Sequence, residues 1–151
     1  MIIEPGKPDD RQALLAVTSR IDNFTDEEKD TVRELWDESE KGYNFLVARE
    51  NGQLVGYSCY GERALTTGTF DLFWIAVDPS ARRLGAGVAL MRATESEVRA
   101  QGGRLIVVET SGMAEYASTR AFYEGIGYEK EASIRDFYKS GDDLVIYTMH
   151  L

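Results

Sequence analysis

Cysteine and histidine are almost missing from this sequence, with Cys59 and His150 the single examples of each. One cysteine excludes an internal disulfide, and one histidine beside the C-terminus leaves no His/Cys set for a metal, so no metal is expected. Proline is limited to Pro5, Pro8 and Pro79. With no repeat and no Pro/Ser-rich linker, residues 1–151 are expected to pack as a single domain, a length that buries a real core unaided. No basic start leads into a long apolar stretch, and no apolar run approaches a membrane span. The expectation is therefore a cytoplasmic protein with no membrane partner. Basic residues are also in deficit, 17 Lys and Arg against 26 Asp and Glu, for a formal charge of -9. A nucleic-acid partner needs a basic footprint, so none is expected. The acid excess gathers in residues 22–40, where it reads as the solvated face of a helix.

Helical and strand patterns alternate through the rest. Residues 9–21 carry Ala13, Leu14, Val17 and Ile21 at helical spacing after Pro8. Thr25-Asp26-Glu27-Glu28 is a capping box opening a second helix whose apolar stripe is Val32, Leu35 and Trp36. The front third is therefore predicted helical. Asn51-Gly52 between the strand-like runs 45–49 and 54–60 predicts a hairpin. Residues 69–77 read as a longer strand, which Asp78-Pro79 ends because proline has no ladder donor. Leu84, Val88, Met91 and Val98 recur at helical spacing up to Gly102-Gly103, and Leu105-Ile106-Val107-Val108 then reads as a buried central strand. Strand, helix, strand in this order gives a βαβ unit with one parallel pair. A short helix over 116–125 and closing strands over 128–138 and 144–149 complete a mixed α/β fold with a mostly antiparallel sheet and flanking helices.

The most informative stretch is the junction Ile75-Ala76-Val77-Asp78-Pro79-Ser80-Ala81-Arg82-Arg83-Leu84-Gly85-Ala86-Gly87-Val88. Glycines between a strand and a helix let successive N–H groups converge on one point, and the helix start adds partial positive charge. That is an anion site built from main chain. A dinucleotide fingerprint would need a third glycine at Leu90, and a Walker A loop would need Gly-Lys-Ser/Thr, so neither fits. Arg82-Arg83-Leu84-Gly85-Ala86-Gly87 instead resembles the pyrophosphate-binding motif of the GNAT superfamily, Arg/Gln-x-x-Gly-x-Gly/Ala, and the preceding Ile75-Ala76-Val77-Asp78-Pro79 matches that family's apolar-x-Val-x-Pro phrase. Further on, Phe122-Tyr123 and Gly127-Tyr128 resemble its Phe/Leu-Tyr-x-x-x-Gly-Phe/Tyr phrase. Tyr116 stands where many members carry an asparagine, so that cofactor contact is not carried over.

The resemblance implies an N-acetyltransferase that uses acetyl-CoA as co-substrate and a small-molecule or peptide amine as acceptor. It also implies a sheet whose central parallel strands splay. The backbone of Ile75, Ala76 and Val77 would then pair with the pantetheine arm, with Ala76 and Val77 N–H groups polarising the thioester carbonyl. Arg82, Arg83, Leu84, Gly85, Ala86, Gly87 and Val88 would hold the pyrophosphate. Tyr123 matches the tyrosine that protonates the departing thiolate, against the alternative of an aromatic packed in the core. For the general base, Asp71 is a lone charge in an apolar strand and Glu109 ends the buried one. Either is a candidate, each with the alternative of a satisfied structural carboxylate, and Glu62 is a third. Cys59 has no histidine near it and reads as a packed strand residue. Phe24, Trp36, Tyr60 and Trp74 would line the acceptor pocket, and the acidic 22–40 segment would steer a cationic amine toward it. Free strand edges make a homodimer plausible. The competing reading is a module of the same fold that binds coenzyme A and transfers nothing.

Overall fold

The computed structural model describes residues 1–151. Strand β1 (Ile2–Pro5) is followed by a 3-10 turn and helices α1 (Arg11–Ser19) and α2 (Asp26–Asp37). The hairpin β2 (Asn44–Glu50) and β3 (Gln53–Glu62) leads to β4 (Thr69–Val77), α3 (Ala86–Ala100), β5 (Leu105–Ser111), α4 (Ala117–Gly125), β6 (Glu129–Lys139) and β7 (Asp142–His150). The strands form one sheet in the order β1-β2-β3-β4-β5-β7-β6. All neighbours are antiparallel except β4 and β5. No helix is long and apolar enough to cross a membrane.

The local chemistry explains the boundaries. The Thr25 side chain accepts from the Glu28 N–H at 3.1 Å while Glu28 accepts from the Thr25 N–H at 3.2 Å, so the expected capping box fixes the start of α2. Asn51 and Gly52 both take positive φ, at 51° and 81°, the combination that lets a two-residue turn follow the twist of the strands. The front third is not wholly helical, as β1 pairs with β2 from Ile2↔Arg49 to Pro5↔Leu46. Four residues are too few to show a period of two, and the pairing is confirmed only by the distant strand they meet.

The sheet divides the core into two layers. On one face, Leu90, Met91 and Val98 of α3 and Tyr123 of α4 pack on Phe70, Leu72, Ile106 and Val108. On the other, Leu14 and Val17 of α1 and Val32 of α2 pack on Val47, Tyr57 and Cys59. Leu84 and Val88 are exposed, contrary to the stripe expected for α3, which buries Ala86, Leu90, Met91, Thr94, Glu95 and Val98. Leu84 precedes the helix, in the 3-10 turn, and Val88 lies on the side of the first helical turn that lines the cleft. Cys59 is fully buried, and burial pushes its thiol up, so it is a packing residue as expected.

Three irregularities shape the site. Parallel pairing runs from Thr69↔Leu105 to Leu72↔Val108 and stops, so residues 73–77 and 109–111 diverge. At the same point β4 carries a bulge, because Cys59 faces Trp74 and Tyr60 faces Leu72, leaving Phe73 unopposed. At the far edge, β6 is exposed along its whole length and loses register with β7 between Ile134 and Lys139, where Asp136 takes φ 57°.

Candidate functional site

The divergence of β4 and β5 opens a cleft of about 1120 Å³ lined by both strands, the start of α3, α4 and the α1–α2 connection. One wall is the freed edge of β4. The Asp78 N–H donates to Val55 O at 2.7 Å, and the register from there through Ala76↔Tyr57 is unbroken. Antiparallel residues alternate between the two edges, so Ala76 directs its N–H at β3 while Ile75 and Val77 present theirs to the cleft. Of the amides expected to meet the thioester, that of Val77 is therefore available and that of Ala76 is engaged in the sheet.

The floor at this end is the turn into α3. Asp78 accepts from the Ser80 backbone at 3.0 Å and hydroxyl at 2.7 Å, and from Arg20 Nε at 2.7 Å. Burial opposes ionisation of Asp78, but these donors outweigh it and hold the carboxyl below its usual range. Arg20 thus ties the end of α1 to the loop. Gly85 caps α3 at φ 77°, a left-handed backbone that a side chain would strain. Gly87 is constrained differently, as a Cβ there would stand 3.2 Å from the Phe122 ring, so its lack of a side chain lets α4 close against α3. The first-turn N–H groups of α3 have no partner within the helix and face the cleft with Gly85, Gly87 and Val88. Arg82 also lines the cleft, whereas the side chains of Arg83, Leu84 and Ala86 do not, Ala86 being fully buried beneath the turn. Main chain and one guanidinium can hold a pyrophosphate here.

Tyr123 stands at the fork. It is 4 % exposed, lines the cleft and touches the rings of Phe122, Tyr128 and Tyr147. Burial raises its pKa, which keeps the phenol protonated, the state a proton donor needs.

The other end of the cleft is built from side chains. Asp71 and Glu109 both reach it, and Arg63 lies between them. Arg63 donates Nη2 to Asp71 Oδ1 at 2.6 Å and Nε to both Asp71 oxygens at 3.0 Å, while Nη2 stands 3.4 Å from Glu109 Oε1. Glu62 lies instead beside a smaller pocket with Tyr43 and Asn44, away from the fork. Phe24 and Trp74 line the cleft as expected and meet edge to face at 5.5 Å. Trp36 and Tyr60 do not: Trp36 packs on Phe45, and Tyr60 is buried on the α3 side of the sheet. Regular alternation along β3 is the reason for the second error, since Tyr60 shares the face of Ser58, whose hydroxyl bonds Thr94 of α3.

Of the acidic 22–40 segment only Asp22 and Glu28 border the cleft, joined by Glu115 and Asp142 from the C-terminal half. Tyr138 completes this rim, its phenol pushed up to about 12 by burial and by Glu109 and Asp142. Glu28 belongs to the acidic segment expected to steer the amine, whereas Arg63, Tyr138 and Asp142 were not singled out from the sequence. Only Arg63 left a signal, because a carboxylate in an apolar strand, Asp71, needs a cation beside it.

Comparison with known proteins follows the same lines. Residues 12–128 match the Acetyltransferase (GNAT) family. The chain superposes with a TM-score of 0.94 on a GNAT-family protein from Desulfovibrio desulfuricans, at 41 % identity over 99 % of this chain and 98 % of that one. It is also similar to the ribosomal-protein-S18-alanine N-acetyltransferase of Escherichia coli, at TM-score 0.80 and 22 % identity over 99 % of this chain and 92 % of that one. An aminoglycoside 6′-N-acetyltransferase in complex with coenzyme A gives TM-score 0.78 and 18 % identity over 99 % and 97 % of the two chains. No curated protein sequence matches the chain. A seven-stranded sheet forked at its one parallel pair, a glycine turn into α3 and the match across residues 12–128 together make this chain a member of the GNAT family of acetyltransferases.

Proposed function

We propose that residues 1–151 act as one domain that transfers an acetyl group from acetyl-CoA directly to a primary amine while both substrates are bound. The observation that carries this reading is the end of parallel pairing at Leu72↔Val108, which opens a β4 edge between the α3 turn and Tyr123. The pantetheine arm adds to that edge through Ile75 and Val77, with Ala76 beneath it. The pyrophosphate lies on the turn formed by Arg82, Arg83, Leu84, Gly85, Ala86, Gly87 and Val88, where backbone N–H groups and Arg82 meet it. Val77 N–H supports the oxyanion of the tetrahedral intermediate. Glu109 removes the proton from the attacking ammonium, directly or through water, because its side chain is 41 % exposed in the cleft while both Asp71 oxygens are held by Arg63. Tyr123 then protonates the leaving thiolate. The acidic rim around Glu28 and Asp142 favours a cationic acceptor. A module that binds coenzyme A without chemistry has no use for a buried phenol at the fork, which disfavours that alternative.

The test is calorimetry with acetyl-CoA on the wild type and Gly87→Glu, followed by thiol release with a peptide bearing N-terminal alanine, an aminoglycoside and a polyamine. Saturable binding lost in Gly87→Glu, with amine-dependent thiol release, is the expected result. Absence of binding in the wild type overturns the reading.

A further inference from the structure

We propose that Arg63 is a positioning residue for the transfer reaction, anchored by Asp71 and acting through Glu109, so that the two carboxylates of the fork have different roles. The inference rests on the assignment of Glu109 as base and adds to it a reason for the neighbouring charges.

Asp71 lies on β4 opposite Val107 of β5, and Glu109 lies two residues beyond Val107, so both carboxylates emerge on the same face of the sheet. Gly61 on β3 is paired with Asp71, which places Arg63 on that face as well. The segment carrying Arg63 is held in place: its N–H donates to Thr69 O at 2.8 Å, and the Thr66 hydroxyl donates to Arg63 O at 2.8 Å. The guanidinium therefore arrives from a fixed point. Its contacts with Asp71 are short and multiple, and the Asp71 side chain is 12 % exposed, a geometry that immobilises both partners. The contact with Glu109 is a single one at the long limit of a hydrogen bond. Both Asp71 oxygens already accept from the guanidinium, which lowers their pull on a substrate proton, whereas Glu109 is oriented through Oε1 and keeps Oε2 free.

The charges agree with this division. Two carboxylates around one guanidinium leave a formal charge of minus one at the fork, which an arriving alkylammonium neutralises. Removing the Arg63 cation leaves two like charges close together at a partly buried site, and Glu109 would be displaced from the fork. A misplacement on the order of 1 Å costs roughly 100-fold in rate.

The test uses the amine from the three-compound panel with the highest rate, and compares Arg63→Gln, Arg63→Lys, Asp71→Asn, Glu109→Gln and the Arg63→Gln/Asp71→Asn double variant. The kcat, the amine KM and the acetyl-CoA Kd are measured for each. The expected result is that Arg63→Gln lowers kcat by about 10 to 100-fold with acetyl-CoA Kd unchanged, and that Arg63→Lys restores part of it. Asp71→Asn should match Arg63→Gln, and the double variant should be no worse than either, since both residues act through one contact. Glu109→Gln should lower kcat at least as far as Arg63→Gln, again with acetyl-CoA Kd unchanged. A further large loss on adding Asp71→Asn to Arg63→Gln would make Asp71 itself the base and overturn the proposal. An unchanged rate in Arg63→Gln, with Glu109→Gln inactive, would overturn the positioning role alone. Full activity in Glu109→Gln would remove the base assignment and the positioning role with it.

Discussion

The two ends of the cleft are made of different material. The end beside α3 is main chain: the freed edge of β4, the left-handed Gly85 and the first amides of the helix, with Arg82 at the side. The end beyond the fork is side chain, with Phe24 and Glu28 from the N-terminal third, Arg63 and Asp71 from the middle, and Tyr138 and Asp142 from the last hairpin. A main-chain site depends on backbone shape, so only a few residue types support it, and they must be adjacent in sequence. A side-chain site draws on positions far apart in the chain, and each can change while the fold is kept. The first end suits a co-substrate that never varies, and the second suits an acceptor that differs from one relative to another.

Substitutions at the fork, where both ends meet, should have the largest effect. Tyr123→Phe is expected to lower kcat by about 10²-fold or more with acetyl-CoA Kd and acceptor KM unchanged, as stopped-flow thiol detection would read. An equal loss in Kd would mean that the phenol binds rather than donates. Because burial raises the Tyr123 pKa above the ordinary value, the neutral form persists as pH rises, and no alkaline limb from this group should appear below about pH 10. At the main-chain end, Gly87→Glu sets a carboxylate against the Phe122 ring and the phosphate turn, and calorimetry should show acetyl-CoA Kd raised by about 100-fold. At the side-chain end, the pair Glu28→Gln and Asp142→Asn should raise the KM of a cationic amine about 3 to 10-fold, less at high salt, with acetyl-CoA Kd untouched. A change in acetyl-CoA Kd there would dissolve the distinction between the ends. The smallest effect concerns stability: Thr25→Ala removes the cap of α2, and chemical denaturation should show a loss of about 1 kcal/mol.

The same contrast decides what could be read in advance. The strand, turn and helix of 69–100 were legible because the run of Phe70 to Val77, the Asp78-Pro79 stop and Gly85 and Gly87 are local signals. Tyr123 was legible for the same reason, lying in a contiguous phrase. The short strand β1 was not, since its existence depends on β2. Tyr60 and Trp36 were misplaced because which face of β3 meets α3, and how α2 is rotated on the sheet, are set by the assembled fold and are not written in the identity of those residues. Asp71 in its apolar strand called for a cation, but which residue supplies it was settled only when the fold set Arg63 2.6 Å away.

The outer strand β6 offers a different lesson. Its eleven residues are exposed throughout, with Lys130, Arg135 and Lys139 interleaved with Glu129 and Glu131, and the backbone turns left-handed at Asp136. A flat, apolar edge of that length would be a template for cross-β growth, in which each molecule extends the sheet of the last. Charge and a kink deny that template any straight run beyond Ile134. Edge-to-edge growth through β6 is thereby disfavoured by the very strand that leaves the sheet open, although Ile134, Phe137 and Tyr138 are exposed along it.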